Sequence, residues 1–157
     1  MLKPLLVLMT RWPAANRCKK RLAKDIGGVL AAKIQQKLTF HTIEVSKTLK
    51  KTGAIEIKLA VDGIGNKKIS TWAKENCIQK ASGQGSGNLG VRMKKQIIFP
   101  PKFRGRSYTK RRDVILIGTD LANICPSEIN LAFSYLKNNK LVIGPSTDGG
   151  LSILAVS

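Results

Sequence analysis

The chain of 157 residues has the length of one domain, and we expect a single domain over 1–157. Hydrophobic residues make up 43% of it and aromatic residues only 5%, so Ile, Leu, Val and Ala must supply the core. This composition excludes a largely disordered chain, and no apolar run approaches the roughly 18 residues of a membrane span. The amino terminus lacks the cleavage site of a secretory signal, so we expect a cytoplasmic protein.

The net charge of +19 is unevenly distributed along the chain. Residues 1–112 hold 26 lysines and arginines against 5 acids, whereas residues 113–157 hold 2 against 4. A positive field of this size attracts phosphorylated ligands as readily as nucleic acids. A merely solvated basic surface is the other interpretation. The cysteines Cys18, Cys77 and Cys125 lie far apart, so we expect neither disulfides nor a zinc site.

Apolar runs and helical periodicity alternate along the chain. The long helix is predicted from an apolar face formed by Ile26, Leu30, Ile34, Leu38, Val45 and Leu49. Three segments are predicted as loops: the basic residues 11–21, the glycine-rich residues 81–88 and the basic, exposed residues 102–112. Strands are predicted at 5–9, 54–61, 77–79, 114–117, 141–143 and 151–156. Helices are predicted at 26–51, 69–75, 88–97 with Asn88 as its cap, and 127–136 with Ser127 as its cap.

This alternation predicts an α/β fold, a Rossmann-like three-layer αβα sandwich with a mainly parallel sheet. Ligands of such sheets bind at the carboxyl ends of the strands, near the point where the strand order reverses. The residues that directly follow strands are therefore the candidate site.

Three of these segments contain residues suited to phosphate or metal binding. The segment after the first strand supplies the phosphate-binding cations Arg11, Lys19 and Arg21. Asp120 and Asp148 follow later strands, and carboxylates of this kind hold divalent cations. Either aspartate could equally be an ordinary turn or helix-entry residue.

Four motifs in order resemble those of a bacterial glycosyltransferase-like family with the nucleotide-diphospho-sugar transferase (glycosyltransferase-A) fold. They are TRWPAANRCKKRLAKDIG at 10–27, NLGVRM at 88–93, IGTDLANI at 117–124 and VIGPSTDGG at 142–150. The chain departs from the family pattern at Asn16, Lys20, Val91, Ala122 and Leu151. It also stops at Ser157, where family members continue, so we expect it to be short at its carboxyl end.

The resemblance implies binding of an NTP or NDP-sugar together with Mg²⁺ or Mn²⁺, and transfer of a glycosyl or nucleotidyl group. By this likeness Arg11, Lys19 and Arg21 bind phosphates, Asp120 holds the metal, and Asp148 is a second ligand or the catalytic residue that orients the acceptor. Gly90 and Arg92 of the second motif are further cofactor-binding candidates.

Two alternatives to a transferase stay open at this stage. One is a polyanion- or nucleic-acid-binding module that uses the basic segment 102–112, although few aromatic residues accompany it for base stacking. The other is a catalytically silent scaffold, for which exposed apolar surface would favour a homodimer.

Overall fold

The fold is known from a computed structural model that describes residues 3–51, 53, 55–98, 112–146 and 150–157. The described residues form six strands and five helices. The strands are β1 (Leu5–Arg11), β2 (Glu56–Asp62), β3 (Lys80–Gly83), β4 (Val114–Gly118), β5 (Leu141–Pro145) and β6 (Leu151–Val156). The helices are α1 (Lys20–Ile26), α2 (Gly28–Lys51), α3 (Asn66–Glu75), α4 (Leu89–Ile97) and α5 (Pro126–Leu136).

The strands form one sheet in the order β3-β2-β1-β4-β6-β5. Strands β1 to β4 run parallel, β6 is antiparallel to β4, and β5 is antiparallel to β6. The chain passes from β1 outward to β2 and β3, then returns to the other side of β1 as β4. The strand order therefore reverses between β1 and β4, and this is where sheets of this type form ligand crevices.

Helices cover both faces of the sheet. On one face, Leu6, Leu8 and Ile115 pack against apolar residues of α2, α3 and α5. On the other face, Leu5 and Val7 contact a smaller cluster to which α4 adds Met93 and Ile97. Because β1 is buried on both faces, its continuous apolar run does not alternate. The predicted α/β class and the mainly parallel sheet are confirmed.

Several element boundaries differ from those predicted. Helix α1 was not predicted: it takes the last two residues of the predicted basic loop 11–21, continues to Ile26 and buries none of its side chains. Strand β3 begins at Lys80 and not at Cys77, so it takes three residues from the predicted glycine-rich loop. Asn88 caps α4 as predicted, and Cys125, not Ser127, occupies the cap position of α5. Glu128 accepts a hydrogen bond from the Cys125 amide there, which completes a capping box.

Most of the predicted basic exposed loop 102–112 lies outside the described residues. Arg112 is described, and it is not exposed: its side chain is 8% accessible and donates to Glu56 at 2.6 Å. The three cysteines are free, with Cys18 buried and Cys77 exposed. Within the described part of the chain, no helix has the length and apolar character needed to cross a membrane.

The buried face of α2 differs from the predicted one in the amino-terminal half of the helix, where Leu30 and Ile34 are exposed, as is Ile26 of α1. In the carboxyl-terminal half, Leu49 is buried as predicted and Val45 packs against the core. The helix packs another side against the sheet along its length. That buried side is largely polar, and consists of Ala31, Gln35, Thr39, Thr42, Ile43, Ser46 and Leu49. Thr42 and Ser46 satisfy their hydroxyls on helix carbonyls one turn back, so burying them leaves no unpaired donor.

The remaining polar residues of this face, Gln35 and Thr39, form a hydrogen-bonded cluster with Thr10 and Thr119 at the strand ends. We call these four residues the threonine network. The Thr119 hydroxyl donates to Thr10 at 2.9 Å, and the Thr39 hydroxyl donates to Thr119 at 3.2 Å. Gln35 Nε2 donates to Thr39 at 3.3 Å. All four residues are buried, so this network fixes α2 against the ends of β1 and β4.

We expect Thr39→Val to lower the free energy of unfolding by about 1–3 kcal/mol, because it leaves buried hydroxyl partners without one of their hydrogen bonds. Urea unfolding measures the change. The matched control is Thr48→Val on the same helix, whose exposed hydroxyl bonds only to the Val45 carbonyl. An equal loss in both variants would contradict a special role for the network.

Candidate functional site

The carboxyl ends of β1, β2 and β4 meet at one edge of the sheet and carry charged side chains. Arg11 is the last residue of β1, Asp62 is the last residue of β2, and Asp120 follows the end of β4. The backbone fixes these ends relative to one another, because Thr119 N donates to Met9 O and Trp12 N donates to Asp62 O. The site thus lies at the predicted switch point of the sheet.

Two arginines converge on one carboxylate oxygen. Asp62 Oδ2 accepts from Arg11 Nη2 at 2.8 Å and from Arg92 Nη1 at 2.9 Å. Burial raises the pKa of Asp62, but the hydrogen bonds and charges of Arg11 and Arg92 outweigh this effect and hold the pKa below its ordinary value. Arg92 Nε also donates to Gly87 O at 2.8 Å, so its guanidinium plane is fixed at the start of α4.

Buried Gln84 holds the strand ends beneath these charges. It directly follows β3, and its Nε2 donates to Thr10 O at 2.9 Å and to Ala60 O at 3.1 Å. One amide group therefore ties β1 to β2 just below the arginine pair. Gln96 of α4 donates to the Gln84 carbonyl, which also connects the helix carrying Arg92 to the same point.

The loop after β1 brings a lysine to the loop after β4. Lys19 Nζ lies 3.0 Å from Asp120 Oδ1, and the Lys19 side chain is 18% exposed against 65% for Asp120. Lys19 and Asn16 both have left-handed backbone conformations, with φ of 43° and 61°. Asparagine tolerates this region better than most residues do.

A cavity of about 330 Å³ opens beside these charged groups. Its polar wall includes Arg11, Asp62, Gln84, Arg92 and Asp120, and its apolar wall is formed by α4, β4 and β6. The apolar residues of these elements are Leu89, Met93, Leu116, Ile117, Leu151, Ile153 and Leu154, and Met9 of β1 also lines the cavity. Two neighbouring cavities, of about 270 and 480 Å³, extend along the loop after β1, and Arg11 lines all three.

The structure brings some of the predicted site residues together and leaves others apart. Arg11 and Arg92 share Asp62, and Lys19 pairs with Asp120. Arg21 lines the 480 Å³ cavity, whereas Gly90 is exposed in the first turn of α4. Asp148 lies outside the described residues. Among the described residues, no three His, Cys, Asp or Glu side chains cluster as a metal site.

Sequence reasoning missed Asp62 and Gln84. Asp62 directly follows the predicted strand 54–61 and precedes Gly63, and an Asp-Gly pair is typical of a turn. Gln84 was assigned to a flexible glycine-rich loop. Asp62 ends a parallel strand and Gln84 directly follows one. Arg11 and Asp120 were selected because ligands bind at the carboxyl ends of parallel strands, and the same rule could have selected Asp62 and Gln84.

We expect Asp62→Asn to lower the free energy of unfolding at neutral pH by about 1 kcal/mol, because ion pairs between partly exposed side chains contribute modestly. A carboxyl group whose pKa is lowered in the folded protein stabilises the fold at pH values above its ordinary pKa of 3.8. This stabilisation is lost as the pH falls through the lowered pKa. Urea unfolding from about pH 7 to about pH 3 should therefore show the two proteins converging in acid.

Glu44→Gln is the control for this experiment, because Glu44 forms an exposed ion pair with Lys47 one turn away. Its effect should stay below about 0.5 kcal/mol. A difference between Asp62→Asn and the unmutated protein that persists unchanged into acid would mean that the carboxylate charge is not its source.

Comparison with solved structures identifies the fold. The crystal structure of a "putative nucleotide-diphospho-sugar transferase" from Desulfovibrio desulfuricans superposes with a TM-score of 0.79 at 17% identity. The match covers 99% of this chain and 64% of that one, so the chain spans less than two thirds of that protein. A 4-diphosphocytidyl-2C-methyl-D-erythritol synthase from Anaerococcus prevotii matches with a TM-score of 0.51 at 12% identity, covering 99% of this chain and 71% of that one.

These identities are low, so the likeness establishes the fold, which is that of the nucleotide-diphospho-sugar transferases. A search among curated proteins finds no significant match. Residues 42–157 match one protein family over most of the chain. The chain therefore belongs to the bacterial family described as "Uncharacterized protein conserved in bacteria (DUF2064)".

Proposed function

We propose that the chain binds the diphosphate of an NTP or NDP-sugar and takes part in transfer of its nucleotidyl or glycosyl group. The observation that carries this proposal is the pair of guanidinium groups of Arg11 and Arg92, held on Asp62 at the edge of the 330 Å³ cavity. This pair lies at the ligand-binding edge of a nucleotide-diphospho-sugar transferase fold.

The charge arrangement favours a phosphorylated ligand. Asp62 supplies one negative charge to two arginines, and the nearby Lys19 shares Asp120. A guanidinium presents a planar fork of donors that matches phosphate oxygens two at a time. These three cations outnumber the two carboxylates, so a bound diphosphate would neutralise the remaining positive charge.

The cavity also suits the rest of such a ligand. Its apolar wall contains Leu89 and Met93 on one side and Leu116 on the other. Flat, weakly polar groups such as nucleobases and sugar faces pack against walls of this kind, while a few polar groups fix their orientation. We assign this role to the wall formed by α4 and β4.

At the end of β4, the exposed carboxylate of Asp120 is the candidate ligand for a divalent cation of the kind that the motif resemblance implies. Asp120 is exposed at the same edge as the arginines, and Mg²⁺ is commonly held by one or two carboxylates, substrate phosphates and water. We propose Asp120 as the protein ligand of Mg²⁺ or Mn²⁺. Asp148, predicted as a second ligand or the catalytic residue, keeps that role as a prediction.

In the proposed reaction, the chain's own cations stabilise the charge that develops on the leaving phosphate. Arg11 and Arg92 would orient the diphosphate, and Lys19 would add a positive charge beside Asp120. When bound, the metal ion supplies further neutralisation of phosphate charge. The buried threonine network keeps Arg11 and Asp120 in position, since Thr10 and Thr119 immediately precede them.

The first test is a thermal-shift screen of NTPs and NDP-sugars with and without Mn²⁺ at moderate salt. A ligand that binds only the folded state raises the melting temperature, and we expect a rise for one nucleotide class that is larger with metal. Arg92→Gln should weaken that binding about tenfold or more, the loss expected for a charged hydrogen bond.

Lys94→Gln removes the same charge from an exposed position of α4 and serves as the matched control. It should change nucleotide affinity less than about twofold, because distant exposed charges are screened. Equal effects of the two variants would mean that overall charge, and not the arginine pair, binds the ligand.

A second test separates the metal from the phosphate site. Asp120→Asn should remove the increase in nucleotide affinity that Mn²⁺ produces, while metal-free binding and the melting temperature change little because the side chain is exposed. Calorimetric titration with and without Mn²⁺ measures both affinities. Asp113→Asn, at the opposite end of β4, is the control. An unchanged metal effect in Asp120→Asn would exclude Asp120 as the metal ligand.

A further inference from the structure

Aliphatic side chains project into solvent where α1 joins α2. Ile26, Val29, Leu30 and Ile34 are 36%, 62%, 53% and 36% exposed. We call residues 17–37 the α1–α2 corner. Gly27, with a φ of 85°, separates the two helices, and α1 buries none of its side chains. A cluster of four large aliphatic residues in solvent has an unfavourable free energy of hydration unless a partner covers it.

The orientation of α2 makes this exposure unusual. The amino-terminal half of the helix buries Ala31, Gln35 and Thr39 and turns Val29, Leu30 and Ile34 outward. In an amphipathic surface helix the apolar side normally faces the core. Here polar residues occupy the protein side, so more than half of the Val29 and Leu30 side chains lies outside the packed core.

Positive charge surrounds these aliphatic residues. The exposed basic residues of the corner are Arg17, Lys20, Arg21, Lys24, Lys33 and Lys37. The corner contains one acid, Asp25. Within the described part of the chain, none of the six basic side chains forms an ion pair. The corner thus combines an apolar centre with six cations that form no ion pair with the described residues.

We propose that the α1–α2 corner binds the surface of an anionic lipid bilayer. Interfacial helices insert aliphatic side chains among the lipid headgroups, and flanking lysines and arginines bind anionic headgroups. Val29 and Leu30 would enter the bilayer interface, and Lys20, Arg21, Lys24 and Lys33 would contact the headgroups. This attachment is peripheral and requires no membrane-spanning helix.

The same observations weigh against other occupants. Nucleic acid would use the cations but not the aliphatic residues, and the corner has no aromatic side chain for base stacking. A second copy of the chain would bring six further positive charges against the six already present, which opposes self-association. An anionic bilayer satisfies both the apolar and the charged groups.

Co-sedimentation of the full chain with vesicles tests the proposal. Vesicles of phosphatidylcholine mixed with phosphatidylglycerol should bind the protein about tenfold more strongly than vesicles of phosphatidylcholine alone. The double variant Val29→Ser, Leu30→Ser should weaken binding to the mixed vesicles about tenfold. The triple variant Lys20→Gln, Arg21→Gln, Lys24→Gln should do so as well. Melting temperatures establish that the variants remain folded.

Matched controls distinguish the corner from surface properties in general. Leu131→Ser on α5 removes an aliphatic side chain that is 52% exposed, close to the 53% of Leu30. The triple variant Lys67→Gln, Lys68→Gln, Lys74→Gln on α3 also removes three positive charges, but from another exposed surface. Both controls should bind the mixed vesicles as the unmutated protein does.

Three results would overturn the proposal. The first is equal binding to neutral and mixed vesicles, or binding that the serine and glutamine variants leave unchanged. The second is an oligonucleotide that binds more tightly than the mixed vesicles, with an affinity that the charge variant lowers and the serine variant leaves unchanged. The third is a dimer in size-exclusion chromatography that the serine variant dissociates, which would assign the corner to a second copy.

Discussion

The threonine network is the interaction on which the candidate site depends. It joins Thr10 at the end of β1 to Thr119 beyond the end of β4, both by a direct hydrogen bond and through Thr39 of α2. Arg11 and Asp120 are the next residues along the chain in each case. A displaced network member would therefore move a charged side chain by a comparable distance. Buried and mutually satisfied hydrogen bonds resist such displacement more strongly than contacts between exposed charges do.

The charges at the site are balanced by only a few carboxylates. Asp62 holds two arginines and Asp120 holds a lysine, in a chain with nine acids against 28 bases. Asp62 orients two arginines and leaves one net positive charge at the strand ends, whereas Asp120 and Lys19 balance each other. Ordered cations with incomplete neutralisation form a preorganised anion site, because little side-chain motion is needed when an anion arrives.

The sheet could be predicted from sequence because strands buried on both faces appear as continuous apolar runs, as in Leu5–Leu8 and Val114–Ile117. Arg11, Lys19 and Asp120 could be selected because they follow such runs. Helix α1 could not be predicted, since a helix without buried side chains lacks an apolar pattern. Asp62 and Gln84 were missed because turn-forming neighbours concealed their positions at the strand ends.

The prediction of which side of α2 is buried was wrong in the amino-terminal half of the helix for a physical reason. The same reason explains why this half exposes aliphatic residues. Periodicity places apolar residues against the core, but the core-facing side of this half of the helix must meet the hydroxyls of Thr10 and Thr119. An unpaired buried hydroxyl is costly, so Gln35 and Thr39 occupy that side. The helix can then present its aliphatic residues only outward. The polar contacts that order the strand ends and the apolar character of the α1–α2 corner are thus two consequences of one helix orientation.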